Sequence, residues 1–150
     1  MNKNLNLQET FKLAIENHQK NNLEVAISLY NKILQSDPNN TSIHYNLGLA
    51  FDKKKELNKA IDSYKKVIEI DPNYLSAHYN LGLIFKELGD LENEIICYKK
   101  TLSINSNHSK ANNNIGLVLK KMGDYQKAIS YYEKAIEIDP KLAEAHNNLG

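Results

Sequence analysis

Apolar residues recur along the chain at helical spacing, in blocks that short polar segments separate. Residues 47–68 show this most clearly, because apolar side chains return every three or four positions on both sides of a charged break. The positions are Leu47, Ala50 and Phe51 before the break, with Lys54 on the same spacing, and Ala60, Ile61, Tyr64, Val67 and Ile68 after it. The pattern predicts two amphipathic helices joined by a tight turn.

This helix pair repeats every 34 residues. Asp-Pro occurs at 37–38, 71–72 and 139–140, with Asn-Ser at 105–106, and Asn-Leu-Gly or Asn-Ile-Gly occurs at 46–48, 80–82, 114–116 and 148–150. A fixed period of this length indicates a helical repeat protein, in which each unit buries its apolar sides against its neighbours. We therefore predict four units at about 7–40, 41–74, 75–108 and 109–142, followed by part of a fifth at 143–150.

The turn inside each unit can also be predicted. Gly-Asp at 89–90 and at 123–124 supplies a residue that tolerates positive φ at a helix end and then an N-cap acceptor for the next helix. Asn21 and Asn22 can serve similarly in the first unit. Lys55 and Glu56 form a poorer turn, so we expect the second repeat to fray there.

Three glycines fall in the middle of predicted helices, at 48, 82 and 116. Each costs up to about 1 kcal/mol in helix propensity relative to Ala, so a close approach of the second helix should compensate. The residues expected opposite them are Ala60, Glu94 and Ala128. Since Glu94 is not small, we expect its carboxylate to point outward past the contact.

The 34-residue period, the small residues and the Pro at unit ends resemble the tetratricopeptide repeat. The resemblance covers nearly the whole chain and implies an all-α fold, a right-handed superhelical solenoid of antiparallel helix hairpins, with residues 1–150 as a single array. The hexapeptides at 77–82 and 145–150 are also similar to the repeats of protein O-linked N-acetylglucosamine transferases.

The resemblance implies a concave groove lined by the first helices, which would bind an extended peptide. An Asn that recurs there at a solvent-facing place would grip a peptide backbone with its amide, and Tyr and Leu would add apolar contact. The alternative is an Asn typical of the family without a ligand. The implied peptide-binding residues are Tyr45, Asn46, Leu49, Tyr79, Asn80, Leu83, Asn113, Asn114 and Leu117.

Two functions remain open from sequence. The first is a non-catalytic scaffold for protein–protein interaction. The second is the N-terminal substrate-recognition part of a larger enzyme, such as a glycosyltransferase or sulfotransferase. The sequence stops at Gly150 within a predicted helix, so we expect a fragment of a longer protein; the alternative is that residues 143–150 dock on the fourth repeat as a stub. Self-association through the uncapped C-terminal end is a third outcome. A clamp for peptide carboxylates is disfavoured because the cationic residues are dispersed.

Composition excludes several other classes. The net charge is +1, and all nineteen basic residues are Lys, so a nucleic-acid partner is not expected. Neither a bilayer-spanning segment nor a signal peptide is evident, which makes the cytoplasm the default location. The histidines at 44, 78 and 146 are one or two repeats apart, too far to share a metal ion, and we expect them to be packing residues. Cys97 lacks a catalytic partner, and no cofactor motif occurs.

Overall fold

The computed structural model describes residues 6–150, which fold into helices without a strand. They form two compact units, one ending at Pro72 and the other running from Asn73 to Gly150. The first unit contains α1 (Leu7–Gln19), α2 (Leu23–Ser36), α3 (Thr41–Lys53) and α4 (Leu57–Ile70). The second contains α5 (Leu75–Leu88), α6 (Leu91–Ile104), α7 (Ser109–Lys121), α8 (Tyr125–Ile138) and α9 (Ala143–Leu149).

Within each unit, a helix packs chiefly against the helices next to it in sequence. The core of the first unit joins α1, α2 and α3 through Ala14, Ala26, Tyr30, Ile33, Ile43 and Leu47. In the second unit, α6, α7 and α8 share Tyr98, Ala111, Ile115, Leu119, Ala128 and Tyr132. Both cores consist of small residues at close contacts and one buried tyrosine ring per hairpin, so the amphipathic pattern accounts for the packing.

Polar residues end and begin the helices as the sequence suggests. Gly89 and Gly123 adopt φ of 74° and 84°, and the aspartates after them accept the backbone N–H of Asn93 and Lys127. The turn within the second repeat, residues 41–74, differs from expectation, because it forms with Lys55 at a φ of 60°. A non-glycine residue therefore occupies the left-handed conformation that glycine adopts at the same place in later repeats.

The mid-helix glycines do permit a close helix approach, but the neighbour is not the one expected. A Cβ added to Gly48, Gly82 or Gly116 would lie 2.5 or 2.6 Å from the ring of a tyrosine on the following helix. The rings are those of Tyr64, Tyr98 and Tyr132. The helices come together because a glycine leaves space for an aromatic ring, so the predicted contact with Ala60, Glu94 and Ala128 does not explain these glycines.

The expectation that Glu94 points to solvent is wrong. Its side chain is 1 % exposed, and its Oε2 has no hydrogen-bond partner among the described residues. Burial raises the pKa of this carboxyl, while the positive charges of Lys121 and Lys86 lower it in part. Residue 94 occupies a small-residue position facing the interior of the hairpin, where a helix cannot turn its side chain away.

Two of the three recurring histidines are not core packing residues. Nε2 of His44 donates to the carbonyl oxygen of Pro38 at 2.8 Å, and Nε2 of His146 donates to that of Pro140 at 2.9 Å. These rings therefore attach the first turn of a helix to the loop before it. His78 is buried, as a packing residue would be.

Candidate binding surface

The first helices of the second unit, α5, α7 and α9, bring several predicted site residues together. Nζ of Lys86 on α5 donates to Oδ1 of Asn114 on α7 at 3.4 Å. Nδ2 of Asn148 on α9 donates to Oδ1 of Asn113 on α7 at 2.9 Å. We call the outward side of these three helices, with Tyr79, Leu83, Lys86, Asn114 and Leu117, the first-helix surface of unit 2.

The amides of α7 belong to the floor of this surface. Asn113 is 0 % exposed and Asn114 is 4 % exposed, so the expectation that the recurring Asn faces solvent is wrong in the fourth repeat. The reason is tertiary, because Lys86 and Asn148 from the neighbouring first helices lie over them. A direct peptide-binding role for both amides stays a prediction.

Tyr79 forms an aromatic wall at one side of the surface. Its half-buried ring lies 5.8 Å from the ring of Tyr98 beneath it and 4.7 Å from the imidazole of His108. Burial raises the pKa of the Tyr79 phenol. The ring is held by two aromatic neighbours and stays partly exposed, which suits the low-entropy contact that tyrosine provides at interfaces.

Apolar and cationic side chains remain accessible beside Tyr79. Leu83 is 37 % exposed, and Asn80 and Leu117 are partly exposed. Lys86 is half-buried, while Lys120 is exposed and its Nζ donates to the carbonyl oxygen of Asn148 at 3.5 Å. The surface combines apolar contact with primary amines that neighbouring amides and carbonyls hold in place.

Sequence reasoning missed the lysines at 86 and 120. They stand 34 residues apart on α5 and α7, at one place of the repeat, and this spacing was the available signal. These lysines do not stand out as a recurring residue, because the equivalent positions in the first two repeats are His18 and Asp52. A search for one residue type repeated every 34 positions therefore does not find this position.

The corresponding residues of the first unit are placed differently. Tyr45 lies 5.8 Å from the ring of Tyr64, and Nδ2 of Asn46 donates to the carbonyl oxygen of Ser42 in its own helix at 2.9 Å. Leu49 is half-buried. The Asn46 amide therefore offers a ligand its acceptor oxygen more readily than its donors.

A second surface, between α2 and the end of α3 in the first unit, carries lysine and glutamate side chains that pair with one another. Nζ of Lys54 lies 3.0 Å from Oε1 of Glu24 and 2.7 Å from Oε1 of Glu56. Hydrogen bonds to Lys54 lower the pKa of both carboxyls, and hydrogen bonds to Glu56 and Glu24 raise that of the lysine. Lys59 also forms an ion pair with Glu56, so two lysines balance two glutamates and this surface is a poor site for a charged ligand.

The described residues contain neither a cluster of metal-binding side chains nor a helix that could span a membrane. Within residues 6–150, no three His, Cys, Asp or Glu side chains come together as a metal ion would require. No helix in that range combines the length and the apolar character needed to cross a bilayer.

Family models of helical repeats match most of the chain. Residues 75–108 and 109–142 match models described as tetratricopeptide repeat, and residues 16–55 and 52–89 match one described as TPR repeat. No curated protein matches the sequence. The similarity to the repeats of O-linked N-acetylglucosamine transferases stays a prediction.

Solved structures show the same fold. A crystal structure of MamA is 30 % identical with a TM-score of 0.85, covering 91 % of this chain and 80 % of that one. Another of MamA protein is 29 % identical with a TM-score of 0.88, covering 95 % and 78 %. A tetratricopeptide repeat protein from Parabacteroides merdae ATCC 43184 is 21 % identical with a TM-score of 0.89, covering 95 % and 57 %. The predicted all-α repeat fold is confirmed, and the chain belongs to the tetratricopeptide repeat family.

Proposed function

We propose that the protein is a non-catalytic scaffold for protein–protein interaction, and that the first-helix surface of unit 2 binds an extended segment of a partner. The repeat family and fold support the scaffold role. The observation that carries the binding proposal is the exposure of Leu83 on the same helix as Tyr79 and Lys86. The ring of His108 contacts Tyr79, and the amide of Asn114 accepts a hydrogen bond from Lys86.

The chemistry of this surface favours a particular kind of segment. Leu83 and Leu117 would contact apolar side chains, and an extended strand presents alternate side chains to one surface. The amines of Lys86 and Lys120 would pair with a carboxylate on the same segment. We therefore propose a peptide in which apolar residues flank an acidic one.

The test is a peptide display library screened against the full chain, followed by affinity measurements on the enriched peptides. We expect enriched sequences to be apolar with an acidic residue, and Leu83→Ala to weaken their binding about tenfold through lost apolar contact. Lys86→Gln should weaken binding and reduce its dependence on salt. Asn114 is a poor variant for this purpose, since its burial would mix folding with binding.

Two exposed residues of the same unit provide matched controls. Leu88→Ala changes an exposed leucine at the end of α5, and Lys99→Gln changes an exposed lysine on α6. Neither should alter affinity, and all four variants should keep the helical circular dichroism of the parent. Enriched peptides that bind Leu83→Ala and Lys86→Gln as tightly as the parent, or a library without enrichment, would reject the proposed surface.

A second interaction, self-association, has one observation in its favour. Tyr125 and Ile129 on α8 and Leu149 on α9 are exposed large apolar residues around a hollow of about 170 Å³. Grouped apolar residues of this kind are typical of contact surfaces. Light scattering across concentration should show dimers that Ile129→Lys abolishes, whereas Ile96→Lys, on the exposed side of α6, should leave them intact. A monomer at every concentration would rule this interaction out.

A further inference from the structure

His108 holds the N-terminus of α7 with its ring. Its Nδ1 accepts the backbone N–H of Ala111 at 3.1 Å, as a capping oxygen would. Only a ring whose Nδ1 carries no proton can accept this bond, so the capped helix requires a neutral imidazole protonated at Nε2. The N-cap of α7 therefore depends on the protonation state of one side chain.

The first unit contains the same cap in a form that does not titrate. Asn40 stands 68 residues before His108, at the equivalent place of the repeat, and its Oδ1 accepts the backbone N–H of Ile43 at 3.1 Å. The two bonds have the same length and connect the same positions of their helices. Because an amide has no proton to gain near neutral pH, Asn40 shows what His108 would be without acid sensitivity.

We infer that His108 is an acid-sensitive cap: protonation of its ring breaks the bond to Ala111, loosens the first turn of α7 and withdraws the ring from Tyr79. The added proton would occupy Nδ1 and face another donor, the N–H of Ala111. The ring must then rotate away from the helix end. The inference concerns the fold and holds whether or not the first-helix surface binds a peptide.

The charges around His108 oppose its protonation. Burial lowers the pKa of His108 and Lys110 on α7 lowers it further, against a hydrogen bond with its own backbone that raises it. The positive end of the α7 dipole also disfavours a cation there. From α5 the neutral Tyr79 faces the ring, and from α9 the carboxylate of Glu144 acts on the Tyr79 phenol.

The sign of the pH effect follows from this lowered pKa. In the unfolded chain the imidazole titrates near 6.5, and in the folded chain it titrates lower. The unfolded state therefore binds more protons between these two values. The cap therefore contributes fully above the unfolded pKa of 6.5, and its contribution is lost as the pH falls through the lower folded pKa.

The first experiment uses the unmodified protein and NMR. The ring nitrogens of His108 should show the tautomer protonated at Nε2 at about pH 7.5. Hydrogen exchange, corrected for the intrinsic effect of pH, should show protection of the Ala111 amide falling about fivefold or more at about pH 5.5. Finding the Nδ1-protonated tautomer, or unchanged protection at the lower pH, would overturn the inference.

Exchanging the two caps provides the matched variants. His108→Asn should keep the Ala111 amide protected at both pH values, and Asn40→His should make the Ile43 amide newly acid-sensitive. Local exchange is the readout because His18, in the first unit, also has a pKa lowered by burial and would affect a global melting curve. Acid sensitivity that persists at Ala111 in His108→Asn would assign the effect to another group.

Discussion

At the scale of single residues, Glu94 is the least favourable feature of the second unit. A carboxyl that is 1 % exposed, and whose Oε2 finds no hydrogen-bond partner in residues 6–150, prefers its neutral form, and burial accordingly raises its pKa. The folded state therefore binds this proton more tightly than the unfolded state does. Stability associated with the neutral form is present below the unfolded pKa of 4.5 and is lost as the pH rises through the folded value.

Glu94→Gln should stabilise the protein at neutral pH by about 1–3 kcal/mol, because it removes the charge from a buried place. The gain should shrink at about pH 4, where the glutamic acid is itself neutral. Thermal melting by circular dichroism at the two pH values measures both effects. Glu92→Gln, at an exposed position on the same helix, should change little, and a lower melting temperature for Glu94→Gln at neutral pH would contradict the argument.

Gly82 is the second residue whose environment makes a definite prediction. Alanine there gains up to about 1 kcal/mol of helix propensity but places its Cβ 2.6 Å from Cε1 of Tyr98, whose ring is fully buried. Overpacking of this kind costs about 1–3 kcal/mol, so we expect Gly82→Ala to be destabilising in urea titrations. In a Tyr98→Leu background the same change should cost less or become favourable. Equal costs in both backgrounds would show that the ring is not the obstacle.

At the scale of elements, the turn between α3 and α4 differs from the equivalent turns of the second unit. Lys55 has a φ of 60° where Gly89 and Gly123 have similar positive values. The left-handed conformation costs a residue with a Cβ about 1–2 kcal/mol, and glycine adopts it freely. The turn is formed, so this cost is carried by the folded protein.

Lys55→Gly should therefore stabilise the protein by about 0.5–1 kcal/mol, after the greater chain entropy of glycine when unfolded is subtracted. Lys55→Ala is the matched control, because it removes the same side chain and keeps the unfavourable φ. The difference between the two variants in chemical denaturation isolates the backbone contribution. Equal stabilities for the Gly and Ala variants would show that the positive φ carries no such cost.

The helices themselves could be predicted from sequence because their causes are local. Apolar spacing fixed the amphipathic faces, and Gly-Asp pairs marked helix ends whose cap bonds the structure shows. What could not be predicted depends on neighbouring hairpins. Asn113 and Asn114 are buried because Lys86 and Asn148 cover them from α5 and α9. No pattern within one repeat encodes this.

The burial of Glu94 could not be predicted from sequence either. Charged residues are rarely buried without a partner, so an outward side chain was the sound expectation. The position within the helix decided otherwise, since its neighbours in the hairpin fix which side faces the interior. At the candidate surface, sequence periodicity located the first helices correctly, yet it missed Lys86 because the residue type at that place changes from repeat to repeat.

At the scale of the whole molecule, the tyrosine ring that fills the space beside each mid-helix glycine recurs with the period of the chain. Burial raises the pKa values of Tyr98 and Tyr132, and it raises to about 12 that of Tyr30, which stands at the equivalent place of the first repeat without a glycine opposite. A phenol whose folded pKa exceeds its ordinary value of 10.0 stabilises the fold below pH 10.0 and ceases to do so as the solution becomes more basic.

Strong base should therefore act on every hairpin that carries a buried phenol, through one shared chemical group. We expect phenolate absorbance near 295 nm to appear in two phases, an early one from exposed rings and a late, cooperative one that coincides with loss of helical ellipticity. Tyr132→Phe should reduce the late phase, because burial raises the pKa of its phenol. A single gradual titration, completed while the helices persist, would mean that these rings reach solvent without unfolding. Alkaline spectroscopy can thus report on the integrity of the array in a protein that lacks tryptophan.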